Sequence, residues 1–291
     1  MFWVLFSVFC SVTVSVLFKL ARRYSVNIEQ MIAWNYPVAL LSSYYFLRPD
    51  FSSLTLTQMP IYAYGALGLL MPSIFLAIAA SIRYTGIVRT EVAQRLSLFI
   101  SILAAFFLFN EQLQLFKIIG IVLGFLAISC SIKWQHRAHG LSKEANGKTW
   151  IYPLLVFLGM GVIDVLYKQL AQYQSVTYYT SITIVFTLCT LVSFIYIAVR
   201  VIIGRMRFSL SGTLWGIALG LFNFGNIIFY MRAHRAIPDN PSLIFSSMNI
   251  GVILLGALVG VLLFKEKLSL LNKIGLVLAV VAVVVIGLAN R

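Results

Sequence analysis

The stretch FFLFNEQLQLFKIIGIVLGF (residues 106–125) returns in the second half of the chain as VLLFKEKLSLLNKIGLVLAV (residues 261–280). The two stretches align without gaps at an offset of 155 residues and are identical at nine of twenty positions. In each copy a single glutamate, Glu111 or Glu266, lies between two apolar blocks. A polar break between long apolar blocks predicts a short turn between two helices. The repetition therefore predicts a fold built from two copies of one unit.

The composition indicates an integral membrane protein. The chain has 291 residues, of which 61% are hydrophobic and only 10% charged, and its mean hydropathy is +0.96. Soluble domains carry about 25% charged residues. The apolar residues come in blocks close to the roughly 20 residues that a helix needs to cross a ~30 Å hydrocarbon core. Because backbone polar groups must be satisfied within the segment in lipid, these blocks are predicted to be helices.

The apolar blocks divide into five and five around a polar stretch, KWQHRAHGLSKEANGK. This division predicts a first five-helix repeat in residues 1–132, a polar linker in 133–149 and a second five-helix repeat in 150–291. The predicted helices lie near residues 2–18, 30–47, 61–82, 91–109, 117–132, 150–168, 178–199, 211–231, 242–264 and 273–289.

Smaller motifs extend the duplication over the whole chain. VLFK ending at Lys19 resembles VLYK ending at Lys168, and Arg83 and Arg235 each follow the third helix of their half. With an odd number of helices per half, the second copy must enter the membrane from the opposite side. We therefore predict an all-α integral membrane fold of ten transmembrane helices arranged as two inverted five-helix repeats, a construction used by many secondary transporters.

These motifs resemble those of the drug/metabolite transporter superfamily, and most closely its EamA-type branch, which includes bacterial amino-acid and metabolite exporters. The resemblance covers nearly the full length of the chain. It implies ten helices, a central cavity lined by the first, third, fourth, sixth, eighth and ninth, and no enzymatic activity. The residues that carry it best are Phe109, Glu111, Leu113 and Gly120 in the first half and Phe264, Glu266, Leu268 and Gly275 in the second.

The positions of the polar side chains at membrane depth indicate the same six helices, independently of the family resemblance. Such residues are costly against lipid, so they are expected to face a cavity or one another. The fifth and tenth helices have no ionisable residue in their bodies, and their glycines suit close helix packing. The predicted substrate pathway consists of Ser15, Lys19, Ser73, Gln94, Arg95, Ser97, Tyr167, Lys168, Asn223, Asn226, Tyr230, Ser246 and Asn249.

Glu91 and Asp164 are the acids within the predicted helix bodies and are therefore the candidates for proton coupling. Each has a basic residue four positions later, Arg95 or Lys168, on the same helix face. A structural ion pair explains this spacing equally well, and Lys168 could instead reach the membrane interface.

Each of two further pairs of polar residues has a structural and a functional interpretation. The pathway asparagines Asn223 and Asn226 would either bind substrate or form hydrogen bonds to another helix. Glu111 and Glu266 are expected to stabilise the turn in each half rather than to contact substrate, because both copies keep the glutamate.

The distribution of basic residues predicts an orientation. In the ten-helix arrangement, sixteen Lys and Arg residues fall on the side of the loops after odd-numbered helices, and six fall on the other side. Basic residues accumulate on the cytoplasmic side, so this count places both termini outside the cytoplasm. The resembling family is usually drawn with both termini inside, and the two expectations conflict.

Other chemistries lack support in the sequence. The chain has no G-x-x-x-x-G-K-[ST], H-E-x-x-H or G-x-S-x-G motif, so neither catalytic residues nor a metal site is expected. Its three cysteines are widely separated in apolar blocks, and no cofactor is predicted. The net charge of +14 is attributed to loops facing lipid headgroups and not to nucleic-acid binding. The expected partners are a small-molecule substrate and the lipid bilayer, with the protein as a monomer or a homodimer.

The sequence thus predicts a multi-pass transporter of the bacterial cytoplasmic membrane that works by alternating access. It is expected to move a small polar or amphipathic metabolite by proton coupling or exchange, with an amino acid favoured by the resemblance. An organic-anion or sugar-phosphate carrier is the alternative, because basic residues accumulate near the helix ends. A membrane-embedded lipid-processing protein or flippase is the alternative of a different class.

Overall fold

All regular secondary structure in the described part of the chain is α-helical, and this part contains no strand. The computed structural model describes residues 2–51, 59–97, 99–100, 103–104, 115–132, 149–173, 175–236 and 241–289. The helices are α1 Phe2–Arg23, α2 Ile28–Leu47, α3 Ile61–Thr85, α4 Ile87–Leu96, α5 Leu115–Ile132, α6 Ile151–Gln172, α7 Tyr178–Ile202, α8 Leu210–Ala236, α9 Pro241–Leu262 and α10 Leu270–Ala289.

Four of the described helices are long and apolar enough to cross a membrane on their own, namely Phe2–Arg23, Ile61–Thr85, Tyr178–Ile202 and Leu210–Ala233. Shorter apolar helices occupy Ile151–Tyr167, Met248–Leu262 and Leu270–Val285. Large apolar side chains such as Leu41, Ile195 and Leu210 are exposed on the outside of the bundle. An apolar exterior of this kind suits lipid, and the chain is a multi-pass membrane protein. The larger number of ten spans stays a prediction.

The helices begin where the sequence supplies capping side chains. The side chain of Asn27 accepts a hydrogen bond from the backbone N–H of Gln30 at the start of α2. The hydroxyl of Thr177 accepts one from Thr180 at the start of α7. Side-chain oxygens at this position satisfy N–H groups that have no partner inside the helix. Asn27 and Thr177 lie 150 residues apart, close to the 155-residue offset of the sequence repeat.

The fourth helix starts earlier than the sequence predicts. The prediction placed its first residue at 91, whereas α4 begins at Ile87, directly after α3 and separated from it by Gly86. Gly86 has φ +91°, a left-handed backbone conformation that favours glycine. The polar run R-T-E in the first turn of α4 lowered the apolar content of this segment and concealed the helix start.

Contacts between the halves dominate the packing. α1 packs on α8 and α9, and its second-half counterpart α6 packs on α3 and α4. α2 packs on α7 and α8, while α5 packs most extensively on α10. This pairing of α5 with α10, away from α1 and α6, agrees with the packing role predicted for the fifth and tenth helices.

Small residues let α8 approach the backbone of α2. A Cβ atom placed at Gly216 would lie 2.7 Å from the carbonyl oxygen of Met31, and one at Gly220 would lie 2.8 Å from that of Asn35. Together with Gly212 these glycines recur every four residues along one face of α8. Such small-residue spacing is the usual way to bring two membrane helices close together.

Candidate functional site

A cavity of about 1020 Å³ lies at one end of the helix bundle. Its wall is formed by the ends of α1 and α3, the starts of α2, α4 and α6, and the turn from α9 into α10. We call it the basic cavity, because its charged lining residues are Lys19, Arg22, Arg83, Arg89, Lys265 and Lys267 against Glu29 and Glu266.

Contacts around the basic cavity show which helix ends lie together. α1 ends there, whereas α6 begins there, with Tyr152 stacked on Tyr84 at a ring distance of 4.9 Å. α2 begins there, and α7 ends beside it, since Arg200 binds both carboxylate oxygens of Glu29 at 3.0 Å. α8 also begins on this side, where Gln30 donates to the carbonyl of Ser209 at 2.8 Å. Helices α1 and α7 thus end on the cavity side, whereas α2, α6 and α8 begin there.

The opposite end of the bundle is packed with aromatic residues. Trp3 and Phe229 stack with their ring centres 5.9 Å apart, and the guanidinium of Arg232 lies 5.1 Å from the centre of the Trp3 ring. The hydroxyl of Thr180 donates to the carbonyl of Asp50 at 3.0 Å, which joins the start of α7 to the chain beyond α2. A pocket of about 190 Å³ is found at this end. Within the described part of the chain, the large opening is therefore at the other end.

Glu266 is the most connected acid of the basic cavity. Its carboxylate pairs with Lys19 of α1 at 2.5 Å. The same carboxylate accepts hydrogen bonds from the backbone N–H groups of Ile87, at 2.8 Å, and Val88, at 3.3 Å. Negative charge at a helix N-terminus is stabilising because the first N–H groups lack partners within the helix. Glu266 thus caps α4 from the other half of the chain.

The backbone around Glu266 leaves no room for larger residues. A Cβ atom at Gly86 would lie 2.8 Å from Glu266 Oε2, and one at Gly260 would lie 3.1 Å from the same atom. Lys265 adopts a left-handed conformation with φ +51°, and the N–H of Glu266 donates to the carbonyl of Gly260 at 3.0 Å. These contacts close the end of α9 and aim the Glu266 carboxylate at α4. Glu266 therefore occupies a turn, as predicted, and also joins the two halves.

A second group of polar residues lies deeper in the bundle, between α1 and α4. We call Ser11, Ser15, Glu91 and Arg95 the polar cluster. The hydroxyl of Ser15 donates to Glu91 Oε1, and Arg95 Nη2 donates to the hydroxyl of Ser11 at 2.7 Å. Arg95 Nη2 lies 3.9 Å from Glu91 Oε2, an atom that accepts no hydrogen bond from any described residue. Glu91 is only 1% exposed, so a carboxyl group is held inside the membrane part of the protein.

Helices of the second half complete the surroundings of the polar cluster. Gly256 of α9 faces Glu91, and a Cβ atom there would lie 2.9 Å from Glu91 Cγ. Ser97 of α4 lies 3.4 Å from Asp164 Oδ2 of α6. Tyr230 of α8 is half-buried. The structure therefore gathers residues of α1, α4, α6 and α9, four of the six helices selected from the sequence.

The two pathway asparagines of α8 have partners on other helices. Asn223 Nδ2 donates to Asn35 Oδ1 of α2 at 3.1 Å. Asn226 Oδ1 accepts a hydrogen bond from the hydroxyl of Ser7 of α1 at 2.7 Å. In the structure these side chains therefore connect helices, which was the structural alternative considered for them.

The remaining predicted pathway residues are dispersed. Ser73 is exposed and donates to the carbonyl of Leu69 in its own helix, away from the polar cluster. The hydroxyl of Tyr167 lies 3.0 Å from Met71 Sδ, which links α6 to α3. Gln94 is half-buried on α4, and Asn249 is buried on α9.

Three of the predicted site residues lie wholly or partly outside the described part of the chain. Glu111 lies in the undescribed stretch 105–114. Lys168 and Ser246 belong to α6 and α9, but their side chains lie outside the described part of the chain.

Sequence reasoning missed Asn272, which lines the basic cavity from the first turn of α10. Its side chain is 3% exposed, and neither amide atom has a hydrogen-bond partner among the described residues. The only available signal was a polar residue at the edge of an apolar block, where polar residues are common. In the described part of the chain, no group of three or more His, Cys, Asp or Glu residues could hold a metal ion.

Comparison with known proteins finds similarity to a family model, to a relative and to a solved structure. A family model described as the EamA-like transporter family matches residues 1–132. An uncharacterized protein of Haemophilus influenzae (strain ATCC 51907 / DSM 11121 / KW20 / Rd) is 41% identical over 286 residues, which cover 96% of this chain and 95% of that protein. A solved crystal structure with 15% identity superposes with a TM-score of 0.62 over 99% of this chain and 97% of the other. At that identity the superposition concerns the fold alone.

Proposed function

The chain belongs to the EamA-like transporter family of the drug/metabolite transporter superfamily, and from this membership we propose that it is a secondary active transporter. In this proposal it moves a small polar metabolite across the bacterial cytoplasmic membrane by alternating access. The family resemblance favours an amino acid or a related compound. Proton coupling or exchange supplies the energy.

The proposed architecture is a pair of inverted repeats, in residues 1–132 and 150–291, joined by the linker 133–149. It is supported by the helix ends at the basic cavity, because α1 ends there and α6 begins there. It is also supported by the reciprocal packing of α1 on α8 and α9 and of α6 on α3 and α4. Inverted repeats place a substrate site near the membrane midplane, where the two halves meet.

The observation that carries the proposal is the burial of Glu91 in a polar cluster beneath the basic cavity. Charged residues inside the membrane are expensive and mark substrate or proton pathways. Glu91 binds Ser15 through one oxygen, while the other oxygen accepts no hydrogen bond from a described residue and lies 3.9 Å from Arg95 Nη2. In this proposal that second oxygen takes up and releases the proton. We assign proton coupling to Glu91, with Asp164 as the second acid.

In the proposed cycle, the structure corresponds to the state in which the substrate path is open at the basic cavity. Rocking of one half against the other would close this cavity and open the aromatic end around Trp3 and Phe229. The basic cavity lies on the side that carries sixteen of the Lys and Arg residues in the ten-helix arrangement. The positive-inside rule therefore supports a cavity that faces the cytoplasm, with both termini outside.

Transport by purified protein in liposomes tests this proposal. Radiolabelled amino acids, dicarboxylates and sugar phosphates are offered with and without an imposed pH gradient, and with and without internal solute for exchange. We expect uptake of at least one water-soluble solute above that of protein-free liposomes. Movement of fluorescent phospholipid between leaflets, with no water-soluble solute transported in either mode, would replace the proposal by the flippase alternative.

A further inference from the structure

Both acids that line the basic cavity are already neutralised. Glu266 is paired with Lys19 and binds two N–H groups of α4, while Glu29 is held by both ends of the Arg200 guanidinium. In the described part of the chain, the other cations of the cavity have no carboxylate oxygen within 4.0 Å of their charged nitrogens. These cations are Arg22, Arg83, Arg89, Lys265 and Lys267. The cavity therefore presents uncompensated positive charge.

Orientation in the membrane accounts for the exposed cations but not for Arg89. Arg22, Arg83, Lys265 and Lys267 are exposed at the rim, as expected of topology-determining residues. Arg89 is half-buried and lies in the first turn of α4, where the helix dipole disfavours a cation. Burial and the helix dipole both disfavour a cation at this position, and Glu266, whose charge favours it, is shared with Lys19 and the N–H groups of α4. An anionic ligand would stabilise it.

Asn272 provides an independent sign of a ligand at the same cavity. Its amide is buried and neither polar atom has a partner among the described residues, although a buried polar group without a partner usually costs about 1–3 kcal/mol. The backbone N–H of Asn272 is used, since it donates to the hydroxyl of Ser269 at 3.2 Å. The side chain is left to bind a group in the cavity, and an amide can donate to an anion and accept from a hydroxyl.

We propose that the basic cavity binds a small solute through a carboxylate or phosphate group, with Arg89 as the charged contact and Asn272 as the polar contact beside it. The rim cations attract the anion before it binds. Water and the solute both reach the cavity from the side of the rim. The proposal rests on the proposed transport function, because it assigns the substrate class of the same path. A phospholipid headgroup carries the same chemistry and is the second source of such an anion.

Binding of three defined probes to the full-length protein tests the site. Glycerol 3-phosphate, succinate and the neutral control glycerol are titrated by calorimetry into protein reconstituted in phosphatidylcholine nanodiscs. We expect the two anions to bind and glycerol not to bind. Arg89→Gln should weaken anion binding about ten- to a hundredfold, as loss of a hydrogen bond to a charged group does. Asn272→Ala should weaken it about three- to tenfold.

Matched variants separate binding from folding. Arg205→Gln removes an exposed cation on the same side of the bundle that does not line the cavity, so it should bind the anions as wild type does. Arg89→Lys keeps the charge and should retain most of the affinity, which shows that Arg89→Gln acts through charge and not through misfolding. Equal loss in Arg205→Gln and Arg89→Gln, or no anion binding by the wild type in either lipid below, would overturn the proposal.

The lipid composition identifies the source of the anion. If soluble anions bind in phosphatidylcholine and still bind in nanodiscs containing phosphatidylglycerol, the ligand is a free solute. If phosphatidylglycerol displaces the soluble anions, the site recognises a headgroup through the same residues. Transport of a zwitterionic amino acid by a protein that binds neither anion would overturn this inference and leave the proposed function intact. Anion binding without transport of any solute would overturn the proposed function and leave this inference intact.

Discussion

The carboxylate of Glu266 and the ammonium of Lys19 form an ion pair across the two halves of the chain, with 2.5 Å between Glu266 Oε1 and Lys19 Nζ. The Lys19 ammonium also lies 4.5 Å from the centre of the Phe264 ring. Since Glu266 caps α4 as well, one side chain connects α1, α4 and the α9–α10 turn. These contacts make the residue that marks the sequence repeat a junction between the halves.

The ion pair is expected to contribute to the free energy of unfolding. Lys19→Met and Glu266→Gln should each destabilise the protein, and together by less than the sum, because the first change already removes the shared interaction. We expect a coupling free energy of about 1–2 kcal/mol, within the range for residues in direct contact. The measurement is unfolding in mixed micelles titrated with sodium dodecyl sulfate. Lys19→Met combined with Glu29→Gln is the control and should be additive, since Glu29 binds Arg200 instead.

Gly86 is expected to be required for both its backbone conformation and its contact with Glu266. Gly86→Ala introduces strain at φ +91° and a Cβ atom 2.8 Å from the Glu266 carboxylate. Gly204→Ala is the control, because Gly204 has φ +72° and an added Cβ atom meets nothing within 4 Å. At φ +91° and ψ 170° the backbone of Gly86 lies in a region open almost only to glycine, and strain alone costs about 1–3 kcal/mol. Displacing the Glu266 carboxylate from the N–H groups of α4 should add about 0.5–2 kcal/mol in the same unfolding assay. Equal destabilisation by the two variants would contradict the capping role of Glu266.

Gly256 is expected to hold the space that Glu91 occupies. Gly256→Ala should displace the Glu91 side chain and lower the rate of solute uptake about tenfold or more, as small displacements of functional groups do. Gly65→Ala places the same methyl group in a membrane helix with nothing within 4 Å and should transport normally. Adding Glu91→Asp to Gly256→Ala shortens the acidic side chain and leaves space for the added methyl group. The double variant should therefore regain part of the uptake rate. Full activity of Gly256→Ala alone would show that the position of Glu91 does not matter.

The orientation is expected to place Arg48 outside and Arg205 inside the cytoplasm. These exposed residues lie at opposite ends of the bundle, because Arg205 follows the α7 end that pairs with Glu29 at the cavity. A membrane-impermeant maleimide applied to intact cells should label Arg48→Cys and not Arg205→Cys, with both labelled after lysis. The reverse pattern would place the termini in the cytoplasm and the basic cavity outside.

Much of the helical layout was predictable because it depends on local signals. Apolar blocks located the helices, and the Glu–x–Leu repeat located the turn that holds Glu266. The spacing of Glu91 and Arg95 predicted that these two side chains face each other, and they lie 3.9 Å apart. The start of α4 was predicted four residues late, because the polar run R-T-E lowers the apolar content of its first turn and its cap comes from the distant residue Glu266.

The contacts that could not be predicted from the sequence are those between residues that lie far apart along the chain. Nothing local to Ser11 or Ser15 distinguishes them from other hydroxyls in a membrane helix, yet α4 brings Arg95 and Glu91 to them. Ser73 appeared equivalent in sequence but binds its own backbone. Asn272 looked like the edge of an apolar block until the fold placed it in the wall of the cavity.

Proton coupling through Glu91 and Asp164 is tested by measuring solute accumulation driven by a pH gradient in the Glu91→Gln/Asp164→Asn variant. The assay uses proteoliposomes and the solute that the wild-type protein accumulates from the panel, and circular dichroism and gel filtration confirm folding. We expect that the gradient no longer drives accumulation, because neither acid of the helix interior can release a proton. Accumulation equal to that of the wild type would contradict proton coupling through the polar cluster.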